Sequence, residues 1–145
     1  MIDYEKIAQE RNMQNGFINR IGFKVTEIGK LYAKGEIDLG EMHANPIGSI
    51  HGGVIFSMAD TVGGVAATTA GSYCTTVNGN INYLNAAMNC KKLIGEAKPV
   101  KIGKTLAVIE VMIRNENGKD IACATMTYYY LRDKIPFPFG TPDEN

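Results

Sequence analysis

The sequence predicts an α+β domain in which one long helix packs against a largely antiparallel sheet of about six strands. Only one apolar segment, 52–69, is long enough and regular enough to form a long helix. Two strand-like segments precede it and four follow it. Because the strands occur in runs and do not alternate with helices, the order favours an antiparallel sheet over βαβ units. One helix against six strands also indicates that the sheet wraps the helix.

The chain begins with a short amphipathic helix, predicted over about 3–13. Ile2, Ile7 and Met13 could give this segment one apolar face, and Asp3 stands near its start. Two strands are predicted next, over 17–30 and 31–39, with a turn at Gly29-Lys30. A loop with turn residues, 40–49, then leads to the long helix.

The second half of the chain returns to strand patterns. Strands are predicted over 73–84, 92–102, 104–116 and 119–131. The sequence NENGKD is a strong hairpin signal between the last two of them. We predict a single domain over 1–145, with an N-terminal helical segment (1–16) and a Pro-rich tail (132–145) that forms an extended arm.

The composition argues against several classes of protein. Fifteen Lys and Arg balance fifteen Asp and Glu, so the chain lacks the basic excess of a nucleic-acid-binding protein. Three widely spaced cysteines, Cys74, Cys90 and Cys123, form no C-x-x-C pair and indicate free thiols in a cytoplasmic protein. The N-terminus has no apolar signal region. Segment 52–71 has the hydropathy of a membrane segment, but it contains Asp60 at its centre, where a charge is costly in lipid. We therefore predict a packed helix, and we expect no membrane partner.

The long helix carries two features that a purely structural helix does not need. Asp60 stands in its apolar middle, where burial disfavours a charge unless partners are supplied, so it is either satisfied by neighbours or used in chemistry. Gly52 and Gly53 place backbone N–H groups on the first turn, where the helix dipole favours developing negative charge. Gly63-Gly64 inside the helix predicts a close approach by another backbone.

Gly52 and Asp60 of one chain are too far apart to act on one carbonyl group. At a rise of about 1.5 Å per residue, the helix separates them by roughly 12 Å. A two-fold dimer with antiparallel long helices would set Gly52 of one subunit opposite Asp60 of the other. The sequence therefore predicts a site that is shared between two subunits.

The same residues carry a family resemblance. Asn45, His51-Gly52-Gly53 and Asp60, followed by INYL, GKTLAVIEV and NGKDIACATMTYYYL, resemble the hotdog-fold acyl-CoA thioesterases of the phenylacetate-degradation (PaaI-like) type. The resemblance covers roughly 20–131, and its most specific part is H-G-G with an acid nine residues after the histidine. It implies a hotdog fold, in which one long central helix is wrapped by the sheet.

The resemblance also implies roles for individual residues. Asp60 would be the general base or the nucleophile toward the thioester carbonyl, and the Gly52 N–H of the facing subunit would polarise that carbonyl. The Asn45 side chain would place substrate or water, and Thr76 would orient the attacking water. The residues themselves allow plainer interpretations, since Asn45 before Pro46 is also a good turn former and Thr76 is also an ordinary strand residue.

The histidines are interpreted differently from the carboxylate. His51, at the junction of loop and helix, favours a hydrogen-bonding role over proton transfer, and we place it with Gly53 and Thr76 among the substrate-binding residues. His43 is predicted to be a plain loop histidine. Neither histidine has the spacing of a metal ligand, so no metal or other cofactor is expected.

We therefore predict a thioester hydrolase whose substrate is an acyl-CoA, so that coenzyme A is part of the substrate. We predict at least a homodimer, and more specifically a homotetramer. Two alternatives stay open: a hotdog dehydratase of 3-hydroxyacyl thioesters, and a non-catalytic acyl-CoA-binding module. The sequence does not identify the acyl group. Five lysines are candidates to bind the phosphates of coenzyme A: Lys91, Lys92, Lys98, Lys101 and Lys104. For any single one of them, the preferred interpretation is a solvated side chain at the edge of the sheet.

Overall fold

The predicted sheet and central helix are both present in the computed structural model, which describes residues 1–143. Six strands form one sheet in the order β1-β2-β4-β5-β6-β3, and every pair of neighbouring strands is antiparallel. The α+β class with one long helix against six strands is thus confirmed. The elements are α1 (Tyr4–Met13), α2 (Phe17–Arg20), β1 (Phe23–Gly29), β2 (Tyr32–Asp38), a 3₁₀ turn (Glu41–His43), α3 (Gly52–Thr68), β3 (Cys74–Tyr83), β4 (Lys92–Ile102), β5 (Leu106–Asn115) and β6 (Asp120–Tyr130).

The first predicted strand, 17–30, is wrong over its first residues. These residues form the short helix α2, and β1 begins only at Phe23. The Asn19 amide donates to the carbonyl of Arg11 at 2.7 Å, which ties this segment to the last turn of α1. Gly22, with a φ of +90°, then turns the chain into the sheet, a conformation that glycine adopts readily.

The long helix α3 packs against the sheet. Its buried face includes Ile55, Met58, Val62 and Val65, and it packs on all six strands. The opposite face bears small and polar residues at a spacing of three to four, and these are exposed or partly exposed: Gly53, Ser57, Asp60, Thr61 and Gly64. This amphipathic pattern presents Asp60 on the outer side of the helix.

The two edge strands of the sheet differ. At the β1 edge, the Asn12 side chain accepts from the Val25 N–H at 2.8 Å and donates to the Val25 carbonyl at 3.0 Å. This amide binds both backbone groups of Val25, one residue of the edge strand, as a neighbouring strand would. At the other edge, β3 pairs only with β6 among the described residues, and its Thr75–Asn78 stretch is exposed.

The tail packs on the N-terminal segment. No helix or strand lies within 131–143, but Phe139 is buried beside Ile2 and Ile7. Its ring meets Phe137 edge-on with centroids 5.2 Å apart, and Phe137 meets Tyr73 in the same way at 5.5 Å. The last two residues of the predicted arm, 144–145, lie outside the described residues. No helix within 1–143 has the length and apolar character needed to cross a membrane.

Candidate active site

The carboxylate of Asp60 contacts the hydroxyl of Thr76, the strand residue that was predicted to act with it. The Thr76 Oγ1 donates a hydrogen bond of 2.6 Å to the Asp60 Oδ1, although the two residues lie on different elements, α3 and β3. The other carboxylate oxygen, Oδ2, accepts no hydrogen bond from any residue in 1–143. Asp60 is therefore a partly exposed carboxylate with one oxygen held and one oxygen available.

The first turn of α3 leaves one backbone donor free. His51 is the helix cap, and its Nδ1 accepts the Gly53 N–H at 2.8 Å while its carbonyl accepts the Val54 N–H at 3.0 Å. Within the described chain, the Gly52 N–H has no acceptor. A free N–H at a helix N-terminus is suited to bind an oxygen that becomes negatively charged.

Both glycines of this turn lie close to a neighbouring side chain. A Cβ on Gly53 would lie 2.9 Å from the His51 Nδ1 and would displace the capping imidazole. A Cβ on Gly52 would lie 3.2 Å from the ring of Tyr83. The Gly-Gly pair is thus explained first by the close packing of two side chains on the helix start.

Three tyrosine hydroxyls fasten α3 to the sheet by donating to its backbone carbonyls. Tyr83 reaches the carbonyl of Gly52 at 2.9 Å, Tyr128 that of Asp60 at 2.7 Å and Tyr130 that of Ala67 at 2.9 Å. Burial raises the pKa of the Tyr128 hydroxyl far above its usual range, so it stays protonated and remains a donor.

The glycine pair in the middle of α3 is explained by Tyr128. A Cβ on Gly63 would clash with the Tyr128 hydroxyl, and a Cβ on Gly64 would touch the same ring at 3.5 Å. Within the chain, the group that approaches these glycines is an aromatic side chain and not another backbone.

Asn45 shapes the loop that precedes the helix. Its amide nitrogen donates to the Ser49 Oγ at 2.7 Å, and its Oδ1 accepts the N–H groups of Ile47 and Ser49 at 3.1 Å each. All of these contacts stay within the loop. The structure therefore gives Asn45 the turn-forming role of an Asx residue before proline.

His43 is not the plain loop histidine that was predicted. It is 4% exposed, its Nδ1 accepts the Gly40 N–H at 2.9 Å, and its Nε2 donates to the carbonyl of Ile21 at 2.7 Å. Its own carbonyl accepts the His51 N–H at 2.8 Å. His43 thus joins the loop to the end of α2 and to the start of α3, a role for which the local sequence carries no signal.

The candidate phosphate-binding lysines fall into two groups. Lys92 pairs with Glu36 at 3.1 Å, and Lys98 pairs with Glu96 at 3.1 Å. Within 1–143, Lys91, Lys101 and Lys104 form no ion pair. The same residues include no group of three His, Cys, Asp or Glu side chains arranged to hold a metal ion.

The family model of the thioesterase superfamily matches residues 47–122, just over half of the chain. The chain belongs to the thioesterase superfamily. A relative from Archaeoglobus fulgidus, which carries the provisional name of an esterase, is 33% identical over 113 residues and covers 78% of this chain and 73% of its own. Human acyl-coenzyme A thioesterase 13 is 34% identical over 90 residues, 60% of this chain and 64% of its own.

The structural comparison confirms the hotdog fold of this thioesterase. The PaaI protein of the Escherichia coli phenylacetic acid degradation operon superimposes with a TM-score of 0.83 at 20% identity, over 88% of this chain and 93% of its own. The family model and this shared fold together confirm the resemblance to hotdog-fold thioesterases, and the likeness to PaaI is one of fold. The range matched by the family model includes Gly52, Asp60 and Thr76 and begins two residues after Asn45.

Proposed function

We propose that this thioesterase hydrolyses an acyl-CoA to a free acid and coenzyme A, at a site in which Asp60 of one subunit faces the Gly52 N–H of another. The observation that carries the proposal is the pairing of a carboxylate that has one available oxygen with a helix start that has one free N–H. Human acyl-coenzyme A thioesterase 13 supports the substrate class through its name. Coenzyme A would belong to the substrate, and the reaction would need no metal or other cofactor.

The proposed assembly is a homodimer built on the open edge of the sheet. A second copy of β3 can pair with β3, because β3 has no strand partner on its outer side within 1–143, whereas Asn12 binds the Val25 backbone at the β1 edge. Two-fold symmetry then sets the partly exposed faces of both α3 helices against each other in antiparallel order. This arrangement bridges the roughly 12 Å that separate Gly52 from Asp60 within one helix. We further propose that two such dimers form a homotetramer in the cytoplasm.

In the proposed reaction, Asp60 acts as a general base on water. The Thr76 hydroxyl donates its proton to Oδ1, so its lone pairs can accept a hydrogen bond from a water beside Oδ2. Oδ2 takes a proton from that water, and the oxygen attacks the thioester carbon. The carbonyl oxygen becomes negative and is stabilised by the facing Gly52 N–H. The C–S bond then breaks, and the proton on Asp60 passes to the leaving thiolate.

The geometry of His51 favours hydrolysis over the dehydratase alternative. A dehydratase needs a histidine and an acid that together remove a proton and a hydroxyl group from a 3-hydroxyacyl thioester. The Nδ1 of His51 is already an acceptor for the Gly53 N–H, so the hydrogen-bond network assigns the ring proton to Nε2. Neither ring nitrogen is then free to act as a base.

Thr76 provides a test of the bound water. We expect Thr76→Val to lower kcat about tenfold, the size expected when a hydrogen bond to a charged group is lost. Thr76→Ser should restore most of the activity, because serine keeps the hydroxyl on an exposed strand position. Release of free thiol from acyl-CoA measures both. Equal activity of the valine and serine variants would remove Thr76 from the mechanism.

Mixed dimers test the shared site directly. Each homodimer of Asp60→Asn or of Gly52→Pro has two defective sites. A heterodimer that contains one subunit of each has one site with both defects and one site with the native Asp60 and the native Gly52. Co-expression with two different affinity tags, followed by two-step purification, yields assemblies that contain both subunits. Each heterodimer within them should have about half of the wild-type activity per dimer.

A site contained within one chain gives a different result, because every site in the heterodimer would then carry one defect. Heterodimers as inactive as both parents would therefore refute the shared site.

The two alternative functions have their own signatures. Wild-type protein that binds acyl-CoA without releasing thiol would favour the binding module, and hydration of crotonyl-CoA would favour the dehydratase.

A further inference from the structure

Tyr83 lies against the residue that supplies the proposed oxyanion donor. Its ring and hydroxyl are the nearest atoms to a Cβ built on Gly52, at 3.2 Å, and its hydroxyl donates to the Gly52 carbonyl at 2.9 Å. Tyr83 is the last residue of β3, 31 residues further along the chain. Burial raises the pKa of Tyr83, so the hydroxyl remains a donor at neutral pH.

The peptide unit that joins Gly52 to Gly53 is held at both ends. Tyr83 binds its carbonyl oxygen, and the His51 Nδ1 binds its N–H at 2.8 Å. The neighbouring unit carries the free Gly52 N–H and shares the Gly52 Cα with it. The His51 carbonyl at the other end of this neighbouring unit accepts the Val54 N–H at 3.0 Å. Because Gly52 has two flexible backbone dihedrals and no side chain, the direction of its N–H depends on the contacts of both planar units.

We propose that Tyr83 is a positioning residue that orients the Gly52 N–H toward the thioester oxygen bound by the facing subunit. The inference rests on the proposed function, because it assigns Tyr83 to the same donor. Tyr83 belongs to β3, the strand whose open edge would pair with a second copy of the chain. The contact thus connects the Gly52 turn to the strand that sets the distance between subunits.

The chain offers a matched control for this hydroxyl. Tyr130 donates to the carbonyl of Ala67 on the same helix with the same 2.9 Å distance, but seven residues beyond Asp60. Tyr83→Phe and Tyr130→Phe each remove a tyrosine-to-carbonyl bond of this length and keep the ring. The Tyr130 bond is buried and the Tyr83 bond is exposed, so loss of the Tyr130 bond should disturb the helix at least as much. Only the Tyr83 bond lies beside the proposed donor.

We expect Tyr83→Phe to lower kcat about fivefold with KM unchanged, the size expected for one neutral hydrogen bond that acts in the transition state. Tyr130→Phe should leave kcat within twofold of wild type. Combining Tyr83→Phe with Gly52→Pro, which has no N–H to orient, should cause no further loss of kcat, because effects that act through one group are not additive.

Several outcomes would overturn the inference. An unchanged kcat in Tyr83→Phe, or an equal loss in Tyr130→Phe, would reduce Tyr83 to a general contact of the helix. A raised KM with unchanged kcat would make it a substrate contact. An additional fivefold loss in the Gly52→Pro background would show that it acts elsewhere. Failure of the proposed function has a separate signature, namely Gly52→Pro or Asp60→Asn with wild-type turnover, and that result would overturn both proposals.

Discussion

Asp60→Asn is expected to lower kcat for acyl-CoA hydrolysis by about 10²–10⁴-fold, the range of a lost general base. Asparagine has nearly the same shape and can still accept the Thr76 hydroxyl at Oδ1, but it cannot take a proton from water at the other position. The fold should therefore remain intact. Thiol release from a panel of aryl and alkyl acyl-CoAs measures the loss, and thermal unfolding checks the fold.

Asp38→Asn is a suitable control for this substitution. Asp38 ends β2, its side chain is 79% exposed, and its contact with Lys92 is a surface ion pair of small energetic effect. Its removal should leave kcat unchanged. If Asp60→Asn is as active as Asp38→Asn, the carboxylate is structural and the general-base mechanism is wrong.

Water labelled with heavy oxygen separates the proposed route from a covalent one. When water attacks the thioester directly, the acid released in a single turnover contains the label and Asp60 stays unlabelled. When Asp60 attacks and water then opens the resulting anhydride at the aspartate carbon, the first acid product takes its oxygen from the aspartate, and the label enters the Asp60 carboxylate. Label in Asp60 therefore identifies the covalent route. Mass spectrometry of the acid and of the peptide that contains Asp60 distinguishes the two results.

The sequence predicted the elements whose signals are local. The 3.6-residue apolar period placed α3 within one residue of its observed ends, and the NENGKD turn predicted the β5–β6 hairpin. The segment 17–30 failed because its start has no strong helix signal. Its helical turn is stabilised by the contact between Asn19 and the end of α1, which is a tertiary interaction.

The candidate site was predictable only in part for the same reason. Asp60 and Gly52 stand out within their own segment, as a charge in an apolar helix and a glycine at its start. Tyr83 and Tyr128 contact α3 from strands that lie 31 and 68 residues away from their partners, so no local pattern indicates them. The need for small residues at Gly63 and Gly64 is accordingly visible only in the folded chain, where the Tyr128 side chain packs against both.

Gly52→Pro is expected to lower kcat by about 10²–10³-fold relative to Gly52→Ala, the usual effect of removing one oxyanion donor. Proline deletes the N–H, whereas alanine keeps it. Both variants add a Cβ near the Tyr83 ring, so the comparison isolates the hydrogen-bond donor from the added bulk. Steady-state kinetics with one acyl-CoA and thermal unfolding of both variants are sufficient.

The helix start is unusually tolerant of this proline. Gly52 is the first residue of α3, the position at which proline is favoured because its N–H has no partner within the helix. His51 has φ −58° and ψ 130°, which is the extended conformation that a residue before proline prefers. Because the cap from His51 to Gly53 also stays available, loss of activity in a folded Gly52→Pro protein would reflect the missing donor. Equal kcat for the proline and alanine variants would exclude the Gly52 N–H as that donor and would leave the first turn of α3 with a purely structural role.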